Sequence, residues 1–262
     1  MSGNWADELI GEPMGFHYTV LFPRAREAMK AWSEITALPI RLPTNVCPVA
    51  KQWAAYWTLH DIDDSGLAPN VTTQLYGFRE RGDGTSKLDL DPLMTGWFDR
   101  PCAESSIISF GQKKSLDLGG GAVFLTQDQG LAEEMEKRGY WPKGLTTMGS
   151  GNLILFAAQM RIQRQQIYLW DRYLGDSCER LPREQVIPWR AMRRIPLQRD
   201  AVVRALRDAG FDAGTNYPAL AGVDNPKSKT FERQVINFFV GTEVTEEYIQ
   251  SASEIVKRMV RP

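Results

Sequence analysis

ISFGQKKSLDLGGG, residues 108–121, is the stretch on which the reading of this chain turns. Ile107, Ile108 and Phe110 make an apolar, β-prone run. Lys113 and Lys114 then sit side by side, and Gly119, Gly120 and Gly121 lead into a second β-prone run, AVFLT (122–126). A strand, a lysine-bearing turn and a glycine-lined return strand describe a place where backbone approaches something closely. A lysine in such apolar, glycine-lined surroundings is also a candidate nucleophile, because desolvation lowers its pKa. A hairpin with solvent-facing lysines would show the same pattern, so the neighbouring sequence has to decide.

Composition narrows the field. The 262 residues are 43% hydrophobic and 24% charged, with a formal net charge of -1. Such a chain can bury a substantial core, as one large or two modest domains, and offers no bias toward nucleic acid or an anionic membrane. No apolar run approaches the roughly 18 residues of a bilayer span. The start, MSGNWADELIGEP, lacks a basic segment followed by an apolar one. Cys47, Cys102 and Cys178 are odd in number and widely spaced, and the only histidines are His17 and His60. Neither a disulfide framework nor a metal-ligand spacing follows, so no metal and a cytoplasmic, reducing location are expected. Gly-x-Ser-x-Gly elbows and phosphate loops ending in Gly-Lys-Ser/Thr are absent from the sequence.

Outward from the lysine turn, short β-prone runs alternate with helical patterns over the first two thirds, which predicts an α/β unit with a largely parallel sheet. Residues 25–38 read as a helix with Ala28, Met29, Trp32 and Ile35 on one face, stopped by Pro39. Residues 129–138 read as another, capped by Asp128, closed by Gly139 and carrying a Glu133–Lys137 pair. A longer helix is expected from Leu153 to about Arg172. The charged, proline-rich stretch 176–196 reads as a linker or loop. Beyond it come a helix over 199–209, a buried strand VINFFVG (235–241) and a helix over 245–260. We therefore expect a large domain at 1–168 and a small C-terminal α+β domain at 169–262.

With these elements in view, residues 108–121 resemble the active-site region of the DegT/DnrJ/EryC1/StrS family of pyridoxal-phosphate-dependent sugar aminotransferases. That family carries a Ser-Phe pair, three variable residues, the lysine that forms the internal aldimine, and soon after it a Gly-Gly pair. Ser109-Phe110 is the pair here, the spacing lands on Lys114, and Gly120-Gly121 fall at the glycines. Lys113 is the alternative amine. Collinear likenesses extend to LPTNVCPVA (42–50), WTLHDID (57–63), TTQLYGF (72–78), LFAAQMRIQRQQI (155–167) and RDAVVRALRDAGFDAGTNYPAL (199–220). The fold the resemblance implies is the aspartate-aminotransferase-like, fold-type-I α/β architecture.

The same resemblance assigns a cofactor site. Lys114 would hold the aldehyde of pyridoxal 5'-phosphate, and Asp91 (with Asp89 as alternative) would face the pyridine nitrogen. Ser109 would serve the phosphate together with backbone amides at a helix start, where the dipole favours an anion. Departures are as telling as matches. Ala25 and Arg26 stand at the family's Gly and Thr positions, and Met94 where a Gln or His touches the ring oxygen. Cys47 stands where an aromatic residue covers the ring, and MGSGNLIL (148–155) has only Asn152 in place of an Asn-Tyr-Arg loop that reaches the partner's phosphate.

The function implied is transfer of an amino group from an amino acid donor to a keto-sugar, possibly nucleotide-linked, or a similar small keto substrate, by a homodimer. Trp53, Trp57 and Trp97 beside the proposed segments suit a core or an interface. Two further readings are a pyridoxal-phosphate enzyme of another reaction type on a non-sugar substrate, and a degenerate homologue kept as a binding partner.

Overall fold

The computed structural model describes residues 10–12, 15–38, 40, 71–73, 87–90, 103–111, 119–139, 150–181, 190–215 and 226–260. Within them one sheet is built from β1 (Tyr18–Phe22), β2 (Val71–Thr73), β3 (Leu88–Leu90), β4 (Ser105–Ser109) and β5 (Ala122–Thr126), in the order β1-β5-β4-β3-β2. The β2–β3 and β3–β4 pairs are parallel, whereas β5 is antiparallel to both β4 and β1. Four strands thus run one way, with β5 alone reversed between two of them. This agrees with the expected largely parallel sheet, and β5 runs back beside β4.

Helices α1 (Ala25–Thr36) and α2 (Gln129–Arg138) pack on this sheet. Ala28, Met29, Ala31 and Trp32 of α1 meet Val20, Phe22, Leu88, Leu90, Ile107, Ala122 and Phe124 in one buried cluster, with Ile35 at its margin. Burial of that stripe, more than local propensity, holds the helix. α1 stops at Thr36, short of Leu38, because Ala37 takes a left-handed conformation (φ 49°) and its N–H donates to Ser33 O. α2 has the expected bounds. Asp128 Oδ1 accepts from Leu131 N at 3.0 Å, and Gly139 N donates to Met135 O at 2.8 Å. Its ion pair, however, joins Lys137 to Glu134 at 2.5 Å, three residues back, while Glu133 accepts from Gln129 Nε2.

A second sheet, fully antiparallel, has the order β6-β7-β9-β8, from β6 (Glu179–Leu181), β7 (Ala191–Arg194), β8 (Ala213–Thr215) and β9 (Val235–Phe238). It is joined by α3 (Ser150–Leu174), α4 (Arg199–Asp208), α5 (Pro226–Gln234) and α6 (Glu246–Val260). Its own core gathers Trp170, Leu174, Ala191, Val202, Leu206, Ala213, Ile236, Phe238, Ile249, Ala252 and Val256. Trp170 stacks on Phe238 with ring centroids 4.4 Å apart and donates its indole N–H to Phe239 O at 3.1 Å. Gln166 Nε2 donates to the carbonyls of Gly241 (2.7 Å) and Val244 (2.5 Å), and its Oε1 accepts from Gly241 N at 2.7 Å. Residue 168, the expected end of the large domain, falls inside α3, whose later turns contribute Ile167, Leu169, Trp170 and Leu174 to this second core.

The stretch 176–196, read as a linker, contains β6 and β7. Its charge density misled because one charge is internal. Arg193 is 2% exposed, ion-paired to Asp171 of α3, and donates to Met192 O at 2.7 Å. Burial pulls the Arg193 pKa down, and Asp171 offsets part of that pull.

Candidate functional site

The carboxyl ends of β1, β3 and β4 come together at one edge of the first sheet. Register fixes the arrangement. Phe22 of β1 pairs with Ala122, and Ala122 pairs with Ser109 of β4, so Phe22, Ala122 and Ser109 stand in a row. Leu90 at the end of β3 pairs with Ile107, one pleat behind Ser109. Crevices outside the carboxyl ends of such strands are where open α/β sheets place ligands.

Three features meet at that edge. Side chains alternate along β4, so Ser109 shares the face of Ile107, which is the face α1 packs on. The chain leaves β1 at Phe22 and enters α1 through Arg24, an extended N-cap (φ -151°, ψ 147°) without a side-chain cap bond. Hydrogen bonds of the first turn begin with Glu27 N and Ala28 N, both donating to Arg24 O. The amides of Ala25 and Arg26 precede them at the positive end of the helix dipole, as an anion site requires. Ser109 Oγ accepts from Gly111 N at 3.4 Å. Serine hydroxyl and helix start therefore share one face and one edge.

The third feature is the glycine triplet. Phe110 N donates to Gly121 O (3.0 Å) and Gly120 N to Phe110 O (3.1 Å), which extends the β4–β5 ladder past Ser109. Gly119, Gly120 and Gly121 have φ of 78°, 146° and 90°. Side-chain-bearing residues rarely adopt such conformations. A Cβ built on Gly119 or Gly120 would meet nothing within 4 Å, so the glycines answer to backbone conformation and leave open space beside the turn.

Of the residues singled out in the sequence, the structure brings Ser109, Ala25 and Arg26 to this edge. Asp89 lies in β3 between Leu88 and Leu90, both buried in the core, and Asn152 lies in the first turn of α3. Lys114, Lys113, Asp91, Met94 and Cys47 lie outside the described residues, as do His60, the stretches 42–50 and 57–63, and Trp53, Trp57 and Trp97. Among the described residues no group of three His, Cys, Asp or Glu could hold a metal, and no helix is long and apolar enough to cross a membrane.

Two residues of the second sheet escaped the sequence reading. Asn237 was subsumed in the apolar run VINFFVG, although one amide in a buried strand is itself a signal. Arg190 lay in the stretch taken for a linker. Arg190 Cζ sits 3.8 Å from the Phe239 ring centroid, and Asn237 is 3% exposed.

This architecture is that of known aminotransferases. The chain is similar to DesI, solved in the presence of its TDP-sugar product (TM-score 0.81, 15% identity, 97% of this chain and 83% of that one). It is also similar to PseC of Helicobacter pylori, an aminotransferase of pseudaminic acid biosynthesis (TM-score 0.81, 12% identity, 98% and 91%). A DegT DnrJ EryC1 StrS aminotransferase from Brucella abortus aligns over 100% of this chain and 92% of its own (TM-score 0.76, 12% identity). The likeness bears out the fold that the resemblance implies, and at these identities it speaks for the fold alone. No protein-family model and no curated protein sequence matches the chain.

Proposed function

We propose that the chain is a pyridoxal-phosphate-dependent aminotransferase acting on a keto-sugar or a similar small keto substrate, with an amino acid such as glutamate or glutamine as donor. The observation that carries this is the alignment of Ser109 with the start of α1, with Gly119, Gly120 and Gly121 beside it, in a fold shared with sugar aminotransferases. The donor set fits the cofactor. A hydroxyl and helix-start amides on one face suit a phosphate, and a Cβ on Gly119 or Gly120 would meet nothing within 4 Å. Ala25 and Arg26 would give amides and a positive charge in place of the family's Gly-Thr pair, and Asn152 of the partner subunit a further amide.

When bound, pyridoxal phosphate supplies an electron sink for breaking the bond to the substrate's α-hydrogen. The chain's own work is narrower. Lys114 would hold the cofactor aldehyde through its Nζ and would serve as the general base that moves a proton at the substrate carbon. Asp91, with Asp89 as the other candidate, would face the pyridine nitrogen and favour its protonated form. Cys47 and Met94 would pack against the ring where relatives place an aromatic residue and a polar one, so this site differs from the family average. The partner subunit, in the homodimer we expect, would close the pocket near Asn152.

Absorbance tests the proposal. Reconstituted protein should show the visible band of lysine-bound cofactor, lose it on adding glutamate, and, after borohydride reduction, carry the label on the peptide of Lys114. A Lys114→Ala variant that kept the visible band with cofactor bound would refute the assignment.

A further inference from the structure

Asn237 presents an unmet acceptor on the second sheet. Side chains alternate along β9, and Ile236 and Phe238 enter the core beneath α3, α4 and α6, so Asn237 points to the opposite face. It is 3% exposed. Its Nδ2 donates to Thr215 O at 3.4 Å, which fixes the sense of the amide and leaves Oδ1 buried without a hydrogen-bond partner. Buried polar atoms are nearly always paired, so each exception calls for an explanation.

The surroundings supply one. Gly214 pairs with Asn237 across β8 and β9. A Cβ on Gly214 would lie 3.0 Å from Arg190 Nη1 and 3.6 Å from Asn237 Cβ, so the guanidinium of Arg190 lies on the Asn237 face, in space the glycine leaves. Phe239 supports that guanidinium from its ring face, 3.8 Å from centroid to Cζ. Arg190 is only partly buried. A guanidinium only donates hydrogen bonds and Asn237 Oδ1 only accepts them. A carboxylate or phosphate would be repelled by Oδ1. A hydroxyl would donate its O–H to Oδ1 and could accept from one of the five Arg190 N–H groups.

We propose that Asn237, Arg190 and Phe239 form a hydroxyl-binding subsite for a sugar ring, with Gly214 kept bare to admit the guanidinium. That the sugar is the amino acceptor rests on the aminotransferase reading; recognition of a hydroxyl does not. Calorimetric titration of the full chain with TDP-glucose, which has no keto group to react, and with TDP alone tests it. Wild type should bind TDP-glucose about tenfold more tightly than TDP, one such hydroxyl contact's worth. Asn237→Ala should bind the two alike, with its affinity for TDP unchanged. Arg190→Lys, which keeps the charge but loses the planar fork, sits at a half-buried position and should cut the preference at least threefold even if Asn237→Ala does not fold.

A wild-type protein that does not prefer TDP-glucose overturns the subsite. So does a preference that survives in both variants, or an equal loss for both ligands. Cofactor binding, followed separately by absorbance, keeps the two readings apart. Failure to bind pyridoxal phosphate with the sugar preference intact would sink the aminotransferase reading and leave the subsite standing.

Discussion

Replacing Gly120 by alanine isolates what the glycine-lined turn contributes. Gly120 has φ 146°, and a Cβ there meets nothing within 4 Å, so no clash contributes to the outcome. The cost is torsional, about 1–3 kcal/mol for a side-chain-bearing residue in that region. Against it stands a gain of about 0.4–1 kcal/mol from a stiffer unfolded chain. The balance is a loss of roughly 1–2 kcal/mol, or about 2–6 °C in melting temperature for a chain of this size. Gly130→Ala is the control. It lies in α2, its added Cβ would contact Asp128 Oδ1 at 3.4 Å, and it carries no positive φ, so it should gain about 0.5–1 kcal/mol. Thermal and urea melts read both variants. Strain at Gly120 also falls on its N–H bond to Phe110 O, one residue after Ser109. Cofactor affinity in Gly120→Ala should therefore drop several-fold while Gly130→Ala leaves it unchanged. Equal stability of Gly120→Ala and wild type would refute the torsional argument, and unchanged cofactor affinity would sever the turn from the site.

Asp128→Ala removes the cap that accepts from Leu131 N and should cost about 1 kcal/mol by urea denaturation, with no change in cofactor absorbance. Asp171→Asn strips the buried Arg193 of its counter-charge and should cost about 3–5 kcal/mol, whereas Arg193→Met should cost less, since Asp171 keeps Arg180 at 3.2 Å; the order of the two urea midpoints decides. Burial raises the Cys178 thiol to about 11, with Arg193 pulling weakly the other way. Peptide mapping after iodoacetamide at pH 8 should find Cys178 unmodified in the folded chain and modified in urea. A thiol raised above its unfolded value stabilises the fold fully below about pH 8.5. That contribution fades as pH climbs through about 11, so a Cys178→Ala variant should lose less stability than wild type over that window.

What the sequence told was uneven, and for physical reasons. Periodicity and caps are local, so α2 was legible to the residue: Asp128, Met135 and Gly139 hold the positions their chemistry demands. α1 ended early because Ala37 adopts a left-handed conformation that no residue type there announces. β6 and β7 were missed because a strand carrying Arg193 and Arg194 looks solvated until Asp171 and Gln234, 22 and 40 residues away, are seen to pair with them. Charge pairing across such distances has no signature in a local window.

The site divides along the same line. Ser109 and the glycines are local, and their spacing spoke at once. That Ser109 stands beside the start of α1 is a property of the sheet order, since residues 22 and 109 meet only because β5 lies between their strands. The reversed strand has a consequence for function. It returns the chain from the end of β4 to a position beside β1, so Ser109 and the start of α1 become neighbours across one strand. A purely sequential order of parallel strands would have set them apart by β2 and β3. If the cofactor binds as proposed, Ser109 and the amides at the start of α1 would hold its phosphate together. Bound pyridoxal phosphate should accordingly protect β1, the first turn of α1 and the β4–β5 turn from hydrogen exchange as one unit, leaving α4 and α6 unchanged. Protection confined to the lysine turn would place the phosphate elsewhere.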